Sequence, residues 1–471
     1  MAGKGVSATH PEYELMSGQW RKCRDAAQGE RAIHAAGEMY LAKLAAETSS
    51  DYNARRKRTP FFNATWRTIS GLRGMLFRKP PIISAPAAIE KYFADIDMAG
   101  TGLDQFAAEI AEESLTVGRV GILVDYPAAP SGGATVAQIE SMGLRPYLQI
   151  YKAETIINWR EARINNVQRL VLAVLAESAS SSADEFSHKT EPRYRVLDIF
   201  EGAYRQRVYK VDERGEDELL SEVFPMIGGA QLDYIPFLIL GADCIGPEVY
   251  DPPLIDLVDM NLHHYAVSAD YEHGCHFSGL PSLFISGFRQ EETDPIIYIG
   301  GPTANVLPDA AARAYFVEIS SNFAALRVNL EDKKSQMAVL GARMLETQRD
   351  GVEAAETAAQ HRKGEESLLA GIANNLSSGL EAALMWLAEW LRAAGEISVQ
   401  INRDFMPMRM SGQEMSALVG AWQSGAISHQ TLFENLQRGE IIADSIDFAQ
   451  EQSRIDDAPL ATPGGPFNGG G

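Results

Sequence analysis

The chain has 471 residues, 45% of them hydrophobic, and a net charge of −21 from 63 acidic against 42 basic residues. That length and apolar content suffice for two to four folded domains. The acidic excess excludes sequence-independent DNA binding by the surface as a whole, because such binding requires phosphates to be neutralised.

Three scattered cysteines, Cys23, Cys244 and Cys275, argue against a disulfide framework and point to a reducing compartment. No apolar leader stands at Met1 to Pro11, and no run approaches about 18 apolar residues, so neither a signal peptide nor a membrane span is expected. The basic residues are uneven: Tyr52 to Ile89 holds Arg55, Arg56, Lys57, Arg58, Arg67, Arg73, Arg78 and Lys79 with no acid. Such a run is first a solvated face or a subunit contact, and only second a nucleic-acid patch.

Taken in order, Tyr13 to Leu44 reads as one or two helices and Ser49 to Asn53 as a polar break. Phe62, Trp66, Ile69, Leu72 and Leu76 step at helical spacing until Lys79-Pro80-Pro81, which cannot continue a helix. Ile89 to Ile96 predicts a short helix and Leu103 to Val117 an amphipathic one closed by Gly118. Val120 to Asp125 predicts a fully buried strand, and Ala128 to Ala134 a surface loop. Tyr147 to Ile150, Val167 to Ala176, Tyr194 to Phe200, Gln206 to Val211 and Phe237 to Leu240 are rich in β-branched and aromatic residues. With hairpin signals at Ser178 to Asp184 and Glu213 to Gly215 they predict an antiparallel sheet, and the fold class is α+β.

Pro252-Pro253 opens a helix over Leu254 to Tyr271. Gly274 to Gly301 then breaks into short apolar clusters, Leu283 to Ile285 and Ile296 to Ile299, which predicts a small strand-containing insert. Phe323, Leu326, Leu330, Met337, Leu340 and Met344 form an apolar stripe at helical period. A second ladder runs through Leu368, Ile372, Leu376, Leu380, Leu384, Leu387 and Leu391. Between them Gln348 to Glu366, with Gly351, Gly364 and charges of both signs, reads as a loop or an exposed helical link. Ile397 to Ile401 is strand-like, Ser411 to Ser424 and Ser428 to Arg438 are helices, and Pro459 to Gly471 reads as a disordered tail.

Chemistry-bearing motifs are sparse. No Walker lysine loop, dinucleotide fingerprint, nucleophile elbow or paired CxxC is present. His263, His264, His273, Cys275 and His276 are potential zinc ligands by type, but their spacing lacks a second ligand pair, and surface or turn histidines are the expected reading. Glu112-Glu113, Glu291-Glu292 and Glu365-Glu366 are adjacent pairs that point apart on a helix and coat a surface. Trp386 and Trp390, at i and i+4, read as packing residues. No catalytic residue, metal site or cofactor is expected.

Several stretches together resemble the portal proteins of tailed bacteriophages, in particular a portal-like phage and prophage family. They are Phe62-Asn63-Ala64-Thr65-Trp66-Arg67-Thr68 leading to Phe77-Arg78-Lys79-Pro80-Pro81, the helix-to-strand step Glu113 to Asp125, Leu330-Glu331-Asp332-Lys333 with Gln336 to Ala342, and Gly425 to Thr431. The resemblance implies a ring of about twelve copies at one capsid vertex. Such a ring passes double-stranded DNA during packaging and ejection and docks the terminase motor, head–tail adaptors, capsid and scaffolding proteins, without a membrane partner. It implies a virion component assembled in the host cytoplasm.

The resemblance also implies a wing over 1–250, a first stem helix over 251–271, a clip over 272–307 and a second stem helix with its return over 308–345. A tunnel loop over 346–366, a wing helix and strand over 367–410, a crown over 411–458 and a tail over 459–471 follow. Within it, Arg349, Arg362 and Lys363 become candidates for weak, salt-sensitive contact with moving DNA, against the plainer expectation of solvated side chains. A different head–tail connector is the alternative; a metal-dependent hydrolase using the histidine cluster is a remoter one.

Overall fold

The computed structural model describes residues 5–127, 142–181, 185–212, 214–278, 282–286, 311, 313–317, 323–342, 355–403, 405, 412–439, 441–442 and 446–456. The chain divides into two compact units, 1–403 and 404–471.

The first unit opens with helices α1 (Pro11–Gln28) and α2 (Glu30–Ala36), separated at Gly29. The residues predicted as a polar break are instead the start of α3 (Ser49–Arg58), because Thr48 caps it by accepting the Asp51 amide at 3.2 Å. Small polar residues that discourage a helix interior favour its first turn. Helix α4 (Ala64–Leu76) is capped by Asn63, and the proline pair that follows it leads into strand β1 (Ile82–Ser84). Only α5 (Ala87–Glu90) forms within the predicted 89–96 helix; the rest turns back, burying Ile89 and Ile96 completely.

Helix α6 (Leu103–Val117) ends on left-handed Gly118, and strand β2 (Arg119–Asp125) follows at once with all seven residues buried. Strands β3 (Tyr147–Lys152), β4 (Ile156–Ile164), β5 (Val167–Ser180), β6 (Thr190–Phe200), β7 (Ala203–Val211), β8 (Asp217–Val223), β9 (Met226–Ile227), β10 (Ala230–Gln231) and β11 (Phe237–Gly241) come next. They form a three-stranded sheet in the order β11-β2-β3, a five-stranded meander β4-β5-β6-β7-β8 and a small β9-β10 ribbon, all antiparallel. The predicted sheet is therefore two larger sheets, and β4 and β8 add to the predicted strands. Asp125 joins the two: its carboxylate accepts from Gln206 at 2.8 Å and from Arg195 at 3.2 Å. The predicted 128–134 loop lies outside the described residues.

Helix α7 (Ile255–Ser278), strands β12 (Ser282–Ser286) and β13 (Arg313–Val317), helices α8 (Ala324–Met337) and α9 (Ala355–Leu391), and strand β14 (Ser398–Gln400) complete the unit. β14 pairs antiparallel with β1. One core gathers Trp20, Ile33, Tyr52 and Phe61 from the N-terminal helices around Val258 and Tyr265 of α7. A second lies between the sheets, with Leu123, Trp159, Leu175, Leu197, Tyr204 and Phe237.

The second unit holds α10 (Gly412–Gln423), α11 (His429–Arg438) and α12 (Phe448–Asp456), the last not predicted. Ser428 caps α11 through the Thr431 amide at 3.1 Å. Leu432 and Phe433 are buried, and Phe448 meets the rings of His429 and Phe433 at 5.5 and 5.4 Å.

Candidate functional site

The candidate site is built on α7, the strands that leave and re-enter it, and α8 and α9. Helix α7 buries residues on several sides, Leu257, Val258, Asn261, His264, Tyr265, Ser268 and Ala269, because it packs against α1, α3, α4 and α8. It runs to Ser278, so helix extends into the range predicted as clip. Asn261 fixes the start of α4 on it. Its side-chain carbonyl accepts from the Thr65 amide (3.2 Å) and hydroxyl (3.0 Å), and its amide donates to the Phe62 carbonyl at 2.7 Å. A buried ion pair, Arg55 to Glu47 at 2.8 Å, holds the preceding loop against α3, and the guanidinium keeps the Glu47 carboxyl low, at about 2.

Strands β12 and β13 pair from Ser282–Val317 to Ser286–Arg313. The chain thus leaves α7 through one strand and returns toward α8 through its neighbour. β13 lies within the 308–345 stretch that the resemblance implies for the second stem helix and its return, and helix α8 starts at Ala324, beside Phe323 where the apolar stripe begins. Ile296 to Ile299 lie outside the described residues.

Helix α8 packs along α7 with Leu330 and Met337 buried, while Val328, Val339 and Leu340 of the same region stay exposed. The predicted stripe therefore does not continue as one helix. At Ala338–Ala342 the winding loosens and Gly341 takes φ +136, a kink that a side chain would strain. A Cβ there would also stand 3.2 Å from the Thr68 methyl. Periodicity counted Leu340 and Met344 as one continuous helix; Gly341 between them kinks it, and Met344 lies outside the described residues.

Helix α9 begins at Ala355, so the second half of the polar segment, read from the sequence as a loop or an exposed helical link, is helical. Arg362 and Lys363 lie in its first turns; Arg349 lies outside the described residues. Downstream, Ile372, Leu376, Leu380, Leu384 and Leu387 are fully buried and Leu391 partly so. Gly379 lets α9 approach β11, since a Cβ would fall 2.3 Å from Leu240. Trp386 stacks on Tyr234 (5.7 Å) and Trp390 on Tyr126 (5.2 Å), while Tyr234 donates to Glu389. These rings clamp the end of α9 to the sheets.

The histidines do not converge. His264 is buried, both its ring nitrogens lack a hydrogen-bond partner among the described residues, and burial beside Lys334 drives it down to about 4. His263 faces solvent, and His273, Cys275 and His276 are half-buried. Among the described residues no three side chains are grouped to hold a metal ion.

This helix–hairpin–helix unit and the long helix after it coincide with a family match. The family described as "Domain of unknown function (DUF4055)" matches residues 253–391, from the start of α7 to the last residue of α9. No curated protein matches the chain. Among solved structures, the chain is similar to a protein in the virion of a native gene transfer agent particle (11% identity, 92% of this chain and 99% of that one, TM-score 0.39). It is also similar to one in the neck of an empty gene transfer agent particle (13%, 85% and 96%, 0.40) and to one in the neck of a native particle (12%, 80% and 91%, 0.39).

Proposed function

We propose that this protein is a portal: a ring-forming subunit at one capsid vertex through which double-stranded DNA enters and leaves, and on which the packaging motor and tail adaptors dock. The observation that carries the reading is the paired β12 and β13 at the end of the α7–α8 helix pair. A segment bounded by paired strands at the tip of a two-helix stem is what the resemblance implies for a clip on its stem. The packed helix α9 beyond the Gly341 kink then corresponds to the wing helix behind a tunnel loop.

Charge agrees with a conduit. Twelve copies at −21 each carry on the order of −250, so the wall repels DNA and the polymer slides without sticking. Weak contact falls to Arg349, Arg362 and Lys363 in this reading, with no base readout.

The purified full-length chain tests the reading by mass photometry and negative-stain imaging. A closed ring of roughly 600 kDa with a central hole is expected from a 51.5 kDa chain. A monomer or dimer at micromolar concentration rejects it.

A further inference from the structure

The five-stranded meander has apolar residues buried on both faces. Along β5 and β6, Ala173, Leu175 and Leu197 turn toward the core between the sheets, while Val174 and Val196 alternate to the opposite side and join Ile157 of β4. On that outer side Ile157, Val174 and Val196 are only 6%, 5% and 3% exposed. Part of what covers them is the start of the chain, since Val6 and Tyr13 pack on this cluster.

Gly5 to Ala8 cross the sheet from one edge to the other. The Val6 amide donates to the Asp217 carboxylate of edge strand β8 at 2.9 Å, and the turn Gly5–Ser7 lies against β6. At the other edge, the Asn158 side-chain amide of β4 donates to the Ala8 carbonyl at 2.9 Å. Both bonds go to side chains; the first backbone bond to the sheet among the described residues is from the His10 amide to the Ile157 carbonyl, at 2.8 Å. Gly5 has φ +67, and a Cβ there would collide with the Asp217 carboxylate, so this end of the segment tolerates no side chain. The other end belongs to α1. His10 caps that helix by accepting the Glu12 amide at 3.3 Å, Thr9 donates to Glu14 at 2.7 Å, and Pro11 needs no partner for an amide hydrogen. His10 also stacks on Trp159, with 4.1 Å between ring centres.

We infer that Gly5 to Ala8 form a releasable strap, latched at Asp217 and hinged at Thr9–His10, which opens while the sheet and α1 stay folded and so controls access to the Ile157, Val174 and Val196 patch. The sheet keeps its ladders and inner core when the strap leaves, and α1 keeps its cap. Segments held by few buried contacts open locally, well below the free energy of global unfolding. The occupant of the patch is the chain's own N-terminal arm, seated on its own sheet. This device is independent of the portal reading, because it works within one copy and needs no ring.

Hydrogen–deuterium exchange of the full chain, read by mass spectrometry at two protein concentrations, tests the strap. Asp217→Ala and Gly5→Val serve as latch variants, with far-UV circular dichroism to verify folding. In the wild type the peptide covering Val6 to His10 is expected to exchange faster than peptides from β5 and β6. In each folded variant it is expected to exchange about tenfold faster again, with β5, β6 and α1 unchanged. A chain lacking residues 1–8 is expected to stay folded and to bind the apolar dye ANS more strongly than the wild type. Exchange of the wild-type strap at the rate of β5 and β6 would make it an inseparable part of the sheet and overturn the inference. Unchanged strap exchange in either folded variant, or no gain in dye binding on deletion, would overturn it equally. Protection of the strap that rises with protein concentration would seat it on a second copy and overturn the assignment within one chain.

Discussion

His264 shows what the apolar surroundings of α7 do to one side chain. Its imidazole, beside the Phe62 ring at 5.8 Å and near Lys333, Lys334 and Glu331, is held neutral, so its pKa falls from 6.5 to about 4. The folded state therefore binds fewer protons than the unfolded state between those values. Stability from this residue is complete above pH 6.5 and is lost as pH falls toward 4. The fall in melting temperature from pH 7.5 to 4.5 is expected to be smaller in His264→Phe than in the wild type; equal falls would refute the assignment. Arg349, Arg362 and Lys363 offer a second test. In the portal reading, replacing all three with Ala leaves ring assembly intact and weakens DNA retention in an assembled particle, an effect that shrinks as salt rises. Unchanged packaging and retention would remove these residues from the conduit.

Helix α9 was legible because Ile372 to Leu387 repeat at steps of three and four and all face one core. Its first turns were not, since a polar segment such as Gln348 to Glu366 is equally compatible with a loop and an exposed helix. Strand β2 was legible as an unbroken apolar run, whereas β8, Asp-Glu-Leu-Leu-Ser-Glu-Val, has no alternation because neither of its faces is covered. The kink after α8 escaped detection for a different reason. A glycine inside a helical pattern costs only about 1 kcal/mol, so Gly341 does not announce whether it continues the helix or bends it. Gly341→Ala is expected to cost about 1–3 kcal/mol, since φ +136 is unfavourable for any side chain and Thr68 crowds the site. A thermal midpoint equal to that of the wild type would show that the kink is not required. The DNA candidates themselves came from the resemblance, not from any pattern in their own residues.

The whole chain combines an α+β unit over 1–403 with a smaller unit over 404–471 whose described part is helical and buries few large side chains, Phe405, Leu432 and Phe433 among them. Net charge and fold bear on different questions: the charge of −21 bears on how the molecule treats polyanions, and the antiparallel sheets and buried helices decide its shape.

The pairing of β12 with β13 has one more consequence. Because Ser282 to Ser286 and Arg313 to Val317 close the base of the inserted segment by themselves, the distance between its two ends is set by the ladder and not by what the segment contains. A foreign domain with adjacent termini grafted between Ser286 and Arg313 is therefore expected to leave the helices beneath the ladder folded, with a far-UV circular dichroism melt matching the wild type's as the check.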